Sequence, residues 1–240
     1  MENGLSVALS AQVALENRLN TIADNVANAN TVGFRATNVK FEDLVFGVGD
    51  RAMDYVSPGD TYLSNASGPM RETGNPFDFA VQGDAWFAIQ TPAGTVMTRD
   101  GRFVMKDTGD LVTLEGHAVL DAGGAAIQLN PREGAPTAGA DGSLRQNGEL
   151  LGAIGLFQFD PGPNFTRYGN SGIVPDQPPQ PLVDRGDVGV VQGFVEDSNV
   201  NPVKEMTRLI MVQRAFENAA ALVRATDSTY TDAIKTLGSK

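Results

Sequence analysis

The 240-residue chain contains no cysteine, a single histidine and a single tryptophan. Without cysteine there are no disulfides, no thiolate nucleophiles and no thiolate metal ligands. A zinc site or a Ser-His-Asp relay would have to be built on His117, which the pattern places in a β-strand beside Gly116 as an ordinary sheet side chain. No Gly-x-Ser-x-Gly elbow accompanies it. Basic residues are also in deficit, 18 against 29 acidic, and they never form a run. Nucleic acid and anionic membrane surfaces are therefore set aside as partners. Met1-Glu2-Asn3-Gly4-Leu5 lacks the basic region and apolar core of a cleavable signal peptide, and no stretch approaches a membrane span. The expectation is a non-enzyme with no cofactor, no metal and no direct membrane insertion.

Two long stripes dominate what is present. From Asn201 to Leu237, steps of three and four residues pick out Leu209, Val212, Phe216, Ala219, Val223, Thr226, Tyr230, Ala233 and Leu237. This 3.5-residue period is a coiled-coil type of seam. Asn201 is placed to cap the helix, Pro202 suits its first position and Glu205 favours the positive end of its dipole. Roughly 36 helical residues would extend about 54 Å. At the other end, Leu15, Leu19, Ile22, Val26 and Ala29 repeat the same steps, and Ala8 and Gln12 continue them backwards. Either stripe alone could be the core-facing side of one compact globule. Two of them, at opposite ends of a non-helical body, predict terminal helices that pair as a coiled-coil-like region.

Between them the chain changes character. Residues 1–35 hold two basic and three acidic side chains, 201–240 hold six and four, and the middle keeps ten and 22. The apolar segment at Phe41, Leu44, Val45 and Phe46 leads to Gly47-Val48-Gly49-Asp50, which lacks the third glycine and the flanking elements of a nucleotide loop. From residue 79 to 130, turn signals at Gly83, Gly94, Gly101, Gly109, Gly116 and Gly123-Gly124 separate runs of four to six residues. Consecutive antiparallel pairing, a β-meander, is predicted. Leu151–Phe159 and Val188–Val195 read as further strands, and six prolines between Pro161 and Pro181 read as an extended connection. The fold class is α+β with a central, mainly antiparallel β domain. Its segments are 1–35 (helix and turn), 36–80 (connection with short strands), 81–185 (β domain), 186–200 (return strand and linker) and 201–240 (helix). Asp78, Asp84 and Asp100 would suit glycoside hydrolysis if they converged, yet each also sits where a turn favours aspartate. Asp141-Gly142-Ser143-Leu144 lacks the alternating oxygen ligands of a calcium loop.

Three asparagines in six residues, Asn25, Asn28 and Asn30, exceed what one helix cap needs. The stretch Asp24-Asn25-Val26-Ala27-Asn28-Ala29-Asn30-Thr31-Val32-Gly33-Phe34-Arg35 resembles the N-terminal signature of bacterial flagellar axial proteins, the rod, hook and hook-associated subunits. It departs mildly at Asp24, where asparagine is common, and at Arg35, where lysine is common. Asn75–Asp84 and Thr98–Phe103 resemble that family's shared middle motifs, and Glu196–Met206 followed by Gln213–Glu217 resembles its C-terminal signature. The Asn201-Pro202 pair and the compact length are most similar to proximal rod subunits. Alternatives are a distal rod or hook-type subunit and, outside the family, a carbohydrate-binding or carbohydrate-acting β protein. Trp86 and four tyrosines give the latter few stacking platforms.

The resemblance implies a structural subunit of the periplasmic rod in the flagellar basal body. It would be exported without a cleavable signal by the flagellar type III apparatus, and it would assemble helically with itself and other rod subunits to carry torque for motility. The expected assembly surface is Leu15, Leu19, Ile22 and Val26 on one stripe and Leu209, Val212, Phe216 and Val223 on the other. Asn28, Asn30, Gly33, Ser198 and Asn199 are expected to set how the helices join the body.

Overall fold

A computed structural model describes residues 2–40, 43–46, 53–57, 59–183 and 186–238. Phe41 and the Gly47–Asp50 segment lie outside the described residues, as do the side chains of Thr226, Tyr230, Ala233 and Leu237 on the predicted seam. The chain divides into two units. Unit 1 comprises Met1–Ala27, Thr37–Tyr62 and Asn201–Lys240, and unit 2 comprises Asn28–Ala36 and Leu63–Val200.

Unit 1 is built on two helices, α1 (Glu2–Ala27) and α2 (Pro202–Gly238). The start of α2 follows its sequence signals: the Asn201 side-chain oxygen accepts from the Lys204 amide at 3.0 Å, Pro202 occupies the first position, and Glu205 pairs with Arg208 at 2.6 Å. The helices pack on one another, but the coiled-coil-like pairing expected from the two stripes is not what forms. In α1 the buried positions are Ala14, Ile22 and Asn25, with Leu15, Leu19 and Val26 half-buried beside them. That face is wider than a two-helix seam because α1 also packs against strands Thr37–Lys40 and Met53–Val56. A buried asparagine and, on α2, a buried Glu205 further interrupt an apolar seam. No helix among the described residues is long and apolar enough to cross a membrane.

Unit 2 is the β body. Its largest sheet runs Thr166–Tyr168, Gly172–Val174, Gly94–Thr98, Trp86–Thr91, Ala118–Val119, Leu111–Thr113 and Phe103–Met105, with Leu156–Gln158 joining Trp86–Thr91 and Gln180–Pro181. All of these pairings are antiparallel. Strand Trp86–Thr91 is buried on both faces: Phe87 and Ile89 enter one apolar cluster, while Trp86 and Ala88 enter the other. That division is the period-two alternation of a strand. Phe79, Phe87 and Phe103 form the aromatic centre of the first cluster, with ring separations of 5.9 and 5.4 Å. Each buried phenylalanine contributes about 1.5–3 kcal/mol.

Several expected elements differ. The single meander is broken after Thr98, because residues 101–103 bond to the Phe77 and Phe79 backbone instead of continuing beside Gly94–Thr98. Ala125–Leu129 makes only isolated bridges and single hydrogen bonds to the strands and turns around it. Leu151–Phe159 is two strands, Glu149–Ala153 and Leu156–Gln158, parted where Gly155 lies against the Asp121 backbone. Val188–Val195 is likewise two, Gly189–Gln192 and Phe194–Glu196, separated by Gly193 at φ +80°. The proline-rich connection carries a hairpin, Thr166–Tyr168 with Gly172–Val174, in the prolyl-free interval between Pro163 and Pro175.

Candidate functional site

Within unit 2, the segment following α1 and the segment preceding α2 are bound side by side. Gly33 donates its amide to the Glu196 carbonyl at 2.7 Å, and the Asn199 amide donates to the Phe34 carbonyl at 3.3 Å. The Asn199 side chain works in both directions, accepting from the Ala36 amide at 2.7 Å and donating to the Ala66 carbonyl at 2.7 Å. Ser198 is buried, and its hydroxyl accepts from the Val200 amide at 3.3 Å. Asn28 turns the chain: its carbonyl accepts from the Thr31 amide and its side-chain oxygen from the Thr31 hydroxyl, at 3.1 and 3.0 Å. Asn30 is exposed. Gly33 has φ +70°, and a Cβ there would stand 2.2 Å from the Asp100 nitrogen, so only glycine passes.

Beneath this seam lies an ion cluster. Glu196 Oε1 accepts from Arg35 Nη2 at 3.0 Å and from the Gly68 amide at 2.9 Å, while Oε2 accepts from Arg99 Nη1 at 3.1 Å. The three side chains are 3, 2 and 1 % exposed in the order Arg35, Glu196, Arg99. Arg35 Nη1 also donates to the Asn65 and Ala66 carbonyls at 2.9 and 2.8 Å, and Arg99 Nη2 to the Gly83 carbonyl at 2.9 Å. Both guanidinium groups stand over the Trp86 ring, at 5.8 and 5.3 Å from its centroid. Burial pushes the Arg99 guanidinium down to about 10, with Glu196 opposing and Arg35 reinforcing that shift. The Arg99–Asp84 pair at 3.9 Å adds little, since the Asp84 side chain is 89 % exposed. A second clamp holds Phe34: Arg167 lies 4.4 Å over its ring and donates to the Arg35 carbonyl at 2.6 Å.

The predicted stripe residues lie in unit 1. Ile22 and Val212 are buried, and Leu15, Leu19, Val26, Leu209, Phe216 and Val223 are half-buried. The three aspartates weighed for catalysis have separate occupations. Asp78 accepts from Asn75, Asp100 pairs with Arg102 at 2.6 Å, and Asp84 is exposed. The Asp100 hydrogen bonds raise the Arg102 guanidinium above its ordinary value. His117 rests edge-on against Tyr168, with Nε2 3.4 Å from the phenol oxygen. Both border a cavity of about 280 Å³, with Asp100 and Arg102 on its wall. Sequence reading placed Arg35, Arg99 and Glu196 inside motifs without joining them, because partners this distant leave no spacing signal.

Comparison with known proteins agrees with this layout. The profile described as "Flagella basal body rod protein" matches residues 5–35, "Flagellar hook protein FlgE/F/G D1 domain" matches 80–150, and "Flagellar basal body rod FlgEFG protein C-terminal" matches 191–236. The chain is 72 % identical to a "Flagellar basal-body rod protein FlgF" of Mesorhizobium japonicum, over all of both chains. It is 53 % identical to a protein of the same description from Rhizobium meliloti, over 99 % of each. Identity falls to 28 % for a "Flagellar basal-body rod protein FlgG" of Bacillus subtilis, over 95 % of this chain and 96 % of that one.

Proposed function

The chain belongs to the flagellar basal-body rod protein family, and from that membership we propose that it is a proximal-rod subunit assembling helically through its terminal helices. As a structural subunit of the basal-body rod it has a mechanical task, the transmission of torque. Its partners are copies of itself and the other rod subunits, proximal and distal. Contacts between unlike surfaces of successive subunits extend into an open helix. It reaches the periplasmic rod through the flagellar type III export apparatus.

The observation that carries this reading is the apolar surface left over on the helices. Leu9, Val203, Met206, Ile210, Met211 and Leu222 are all more than half exposed, with Val203 at 74 %. Clustered exposed apolar side chains mark protein contacts. We assign these exposed side chains, together with Leu15, Leu19, Ile22 and Val26 on one helix and Leu209, Val212, Phe216 and Val223 on the other, to the surface that neighbours complete. Asn28, Asn30, Gly33, Ser198 and Asn199 form the junction.

The test is a strain from which this gene has been deleted. Electron microscopy of its basal bodies should show rods that stop short, and the wild-type chain should restore both rod and swimming. Complete rods in the deletion strain would refute the assignment. A tagged subunit found next to the hook would move it to the distal reading.

A further inference from the structure

Stability alone is a weak account of the Arg35–Glu196–Arg99 cluster. Burial strips water from three ions at once, and apolar side chains of similar volume commonly serve a core as well or better. A carboxylate differs from an apolar group in selecting partners by direction. Glu196 directs Oε1 to Arg35 and the Gly68 amide, and Oε2 to Arg99, tying together segments that are far apart in the chain. Its own carbonyl takes the Gly33 amide, and Asn199 takes the Ala36 amide, so residues 33–36 and 196–199 share one register. The chain first enters unit 2 at Asn28 and leaves it for the last time at Val200. One carboxylate therefore governs the points from which both terminal helices depart.

Building on the rod-subunit reading, we infer that Glu196 is a positioning residue: it fixes the spacing of the 33–36 and 196–199 segments within unit 2, from which the chain runs to the two helices, and assembly requires that geometry rather than the cluster's contribution to folding. The selectivity lies in the ionic cluster as a whole. Arg35 places the 65–68 loop through its carbonyls, and Arg99 places the turn at Gly83.

The experiment uses the full chain. Because it has no cysteine, spin labels on Asn30→Cys and Asp197→Cys, both within unit 2, report a single distance. Glu196→Gln leaves two guanidinium groups facing a neutral amide. The triple variant Arg35→Met, Glu196→Leu, Arg99→Met removes all three charges and keeps apolar volume. The triple variant should keep the far-ultraviolet dichroism of the wild type and an unfolding midpoint within about 5 °C of it. Its distance distribution should be at least twofold broader, as should that of Glu196→Gln, and swarm expansion should fall at least tenfold. A triple variant that swims overturns the inference. So does one that is immotile with the narrow native distribution, or one that fails to fold, since the cluster would then be merely structural. Should the unlabelled wild type fail to rescue a deletion strain, the rod-subunit reading falls, and the two distance distributions still decide the role of Glu196.

Discussion

Asn25 and Thr37 exchange two hydrogen bonds: the asparagine Nδ2 donates to the threonine carbonyl at 2.8 Å, and its Oδ1 accepts from the threonine amide at 2.9 Å. Asn25 is 2 % exposed, so a helix side chain here takes the part of a neighbouring strand for the first residue of Thr37–Lys40. Asn25→Ala should cost about 1–3 kcal/mol, the usual penalty for leaving buried polar groups unpaired. Asn25→Asp keeps the acceptor but turns a carboxylate towards a carbonyl. Its carboxyl is thereby raised, so the variant's deficit relative to wild type should shrink as pH falls from 7 to 4. Thermal unfolding of both variants at the two pH values checks this, and an unchanged deficit would count against it.

Gly33 and Gly74 both have φ +70°, but a Cβ at Gly33 meets backbone at 2.2 Å whereas one at Gly74 meets nothing within 4 Å. Gly74→Ala should therefore cost only the left-handed penalty of about 1–2 kcal/mol. Gly33→Ala should cost more than about 3 kcal/mol, because the Arg99–Asp100 backbone must move away from the ion cluster. Denaturant unfolding of the two variants ranks them. Equal costs would show that the close approach at Gly33 relaxes freely.

Two aspartates, Asp110 and Asp141, should titrate low. Gln128 and Thr108 donate to Asp110, and the Ser143 hydroxyl and amide donate to Asp141, holding both carboxyls below the ordinary 3.8. A depressed folded value means that their stabilisation is present above the unfolded value and is lost as pH falls through the folded one. Carboxyl carbon shifts measured by magnetic resonance against pH should show both midpoints under 3.8. Gln128→Ala should raise that of Asp110 and leave Asp141 alone; a joint shift would indicate a global change.

Leu19→Asp and Phe216→Asp each place a charge on a half-buried helix position of unit 1. Swimming should be lost at least tenfold, while the emission of Trp86, which sits in a body cluster, keeps its native wavelength. Normal motility in either variant would remove these positions from the assembly surface.

The helices were legible because a 3.5-residue period persists through each terminus and Asn201-Pro202 marks where α2 begins. The hairpin turn at Asn147-Gly148 was legible and lies between two paired strands, whereas Asp100-Gly101 carries the same signal between strands that do not pair. Strand breaks were not, since Gly155 and Gly193 interrupt apolar runs whose composition stays strand-like on both sides. Nor was the width of the α1 face: Asn25 reads only as one asparagine more than a helix cap needs until Thr37 is seen beside it. The Glu196 cluster was invisible for a simpler reason, that ion-pair partners leave no periodic trace when more than 60 residues separate them in sequence.

The break at Gly193 bears on the timing of synthesis. Gly189–Gln192 pairs with Phe79–Gln82, and Phe194–Glu196 with Met70–Glu72, so the closing strands of two sheets are among the last parts of the body to leave the ribosome. Pairings across more than 100 residues form slowly, since a long loop must close before any contact rewards it. The two small sheets of the body can therefore close only after nearly all of the chain has been translated.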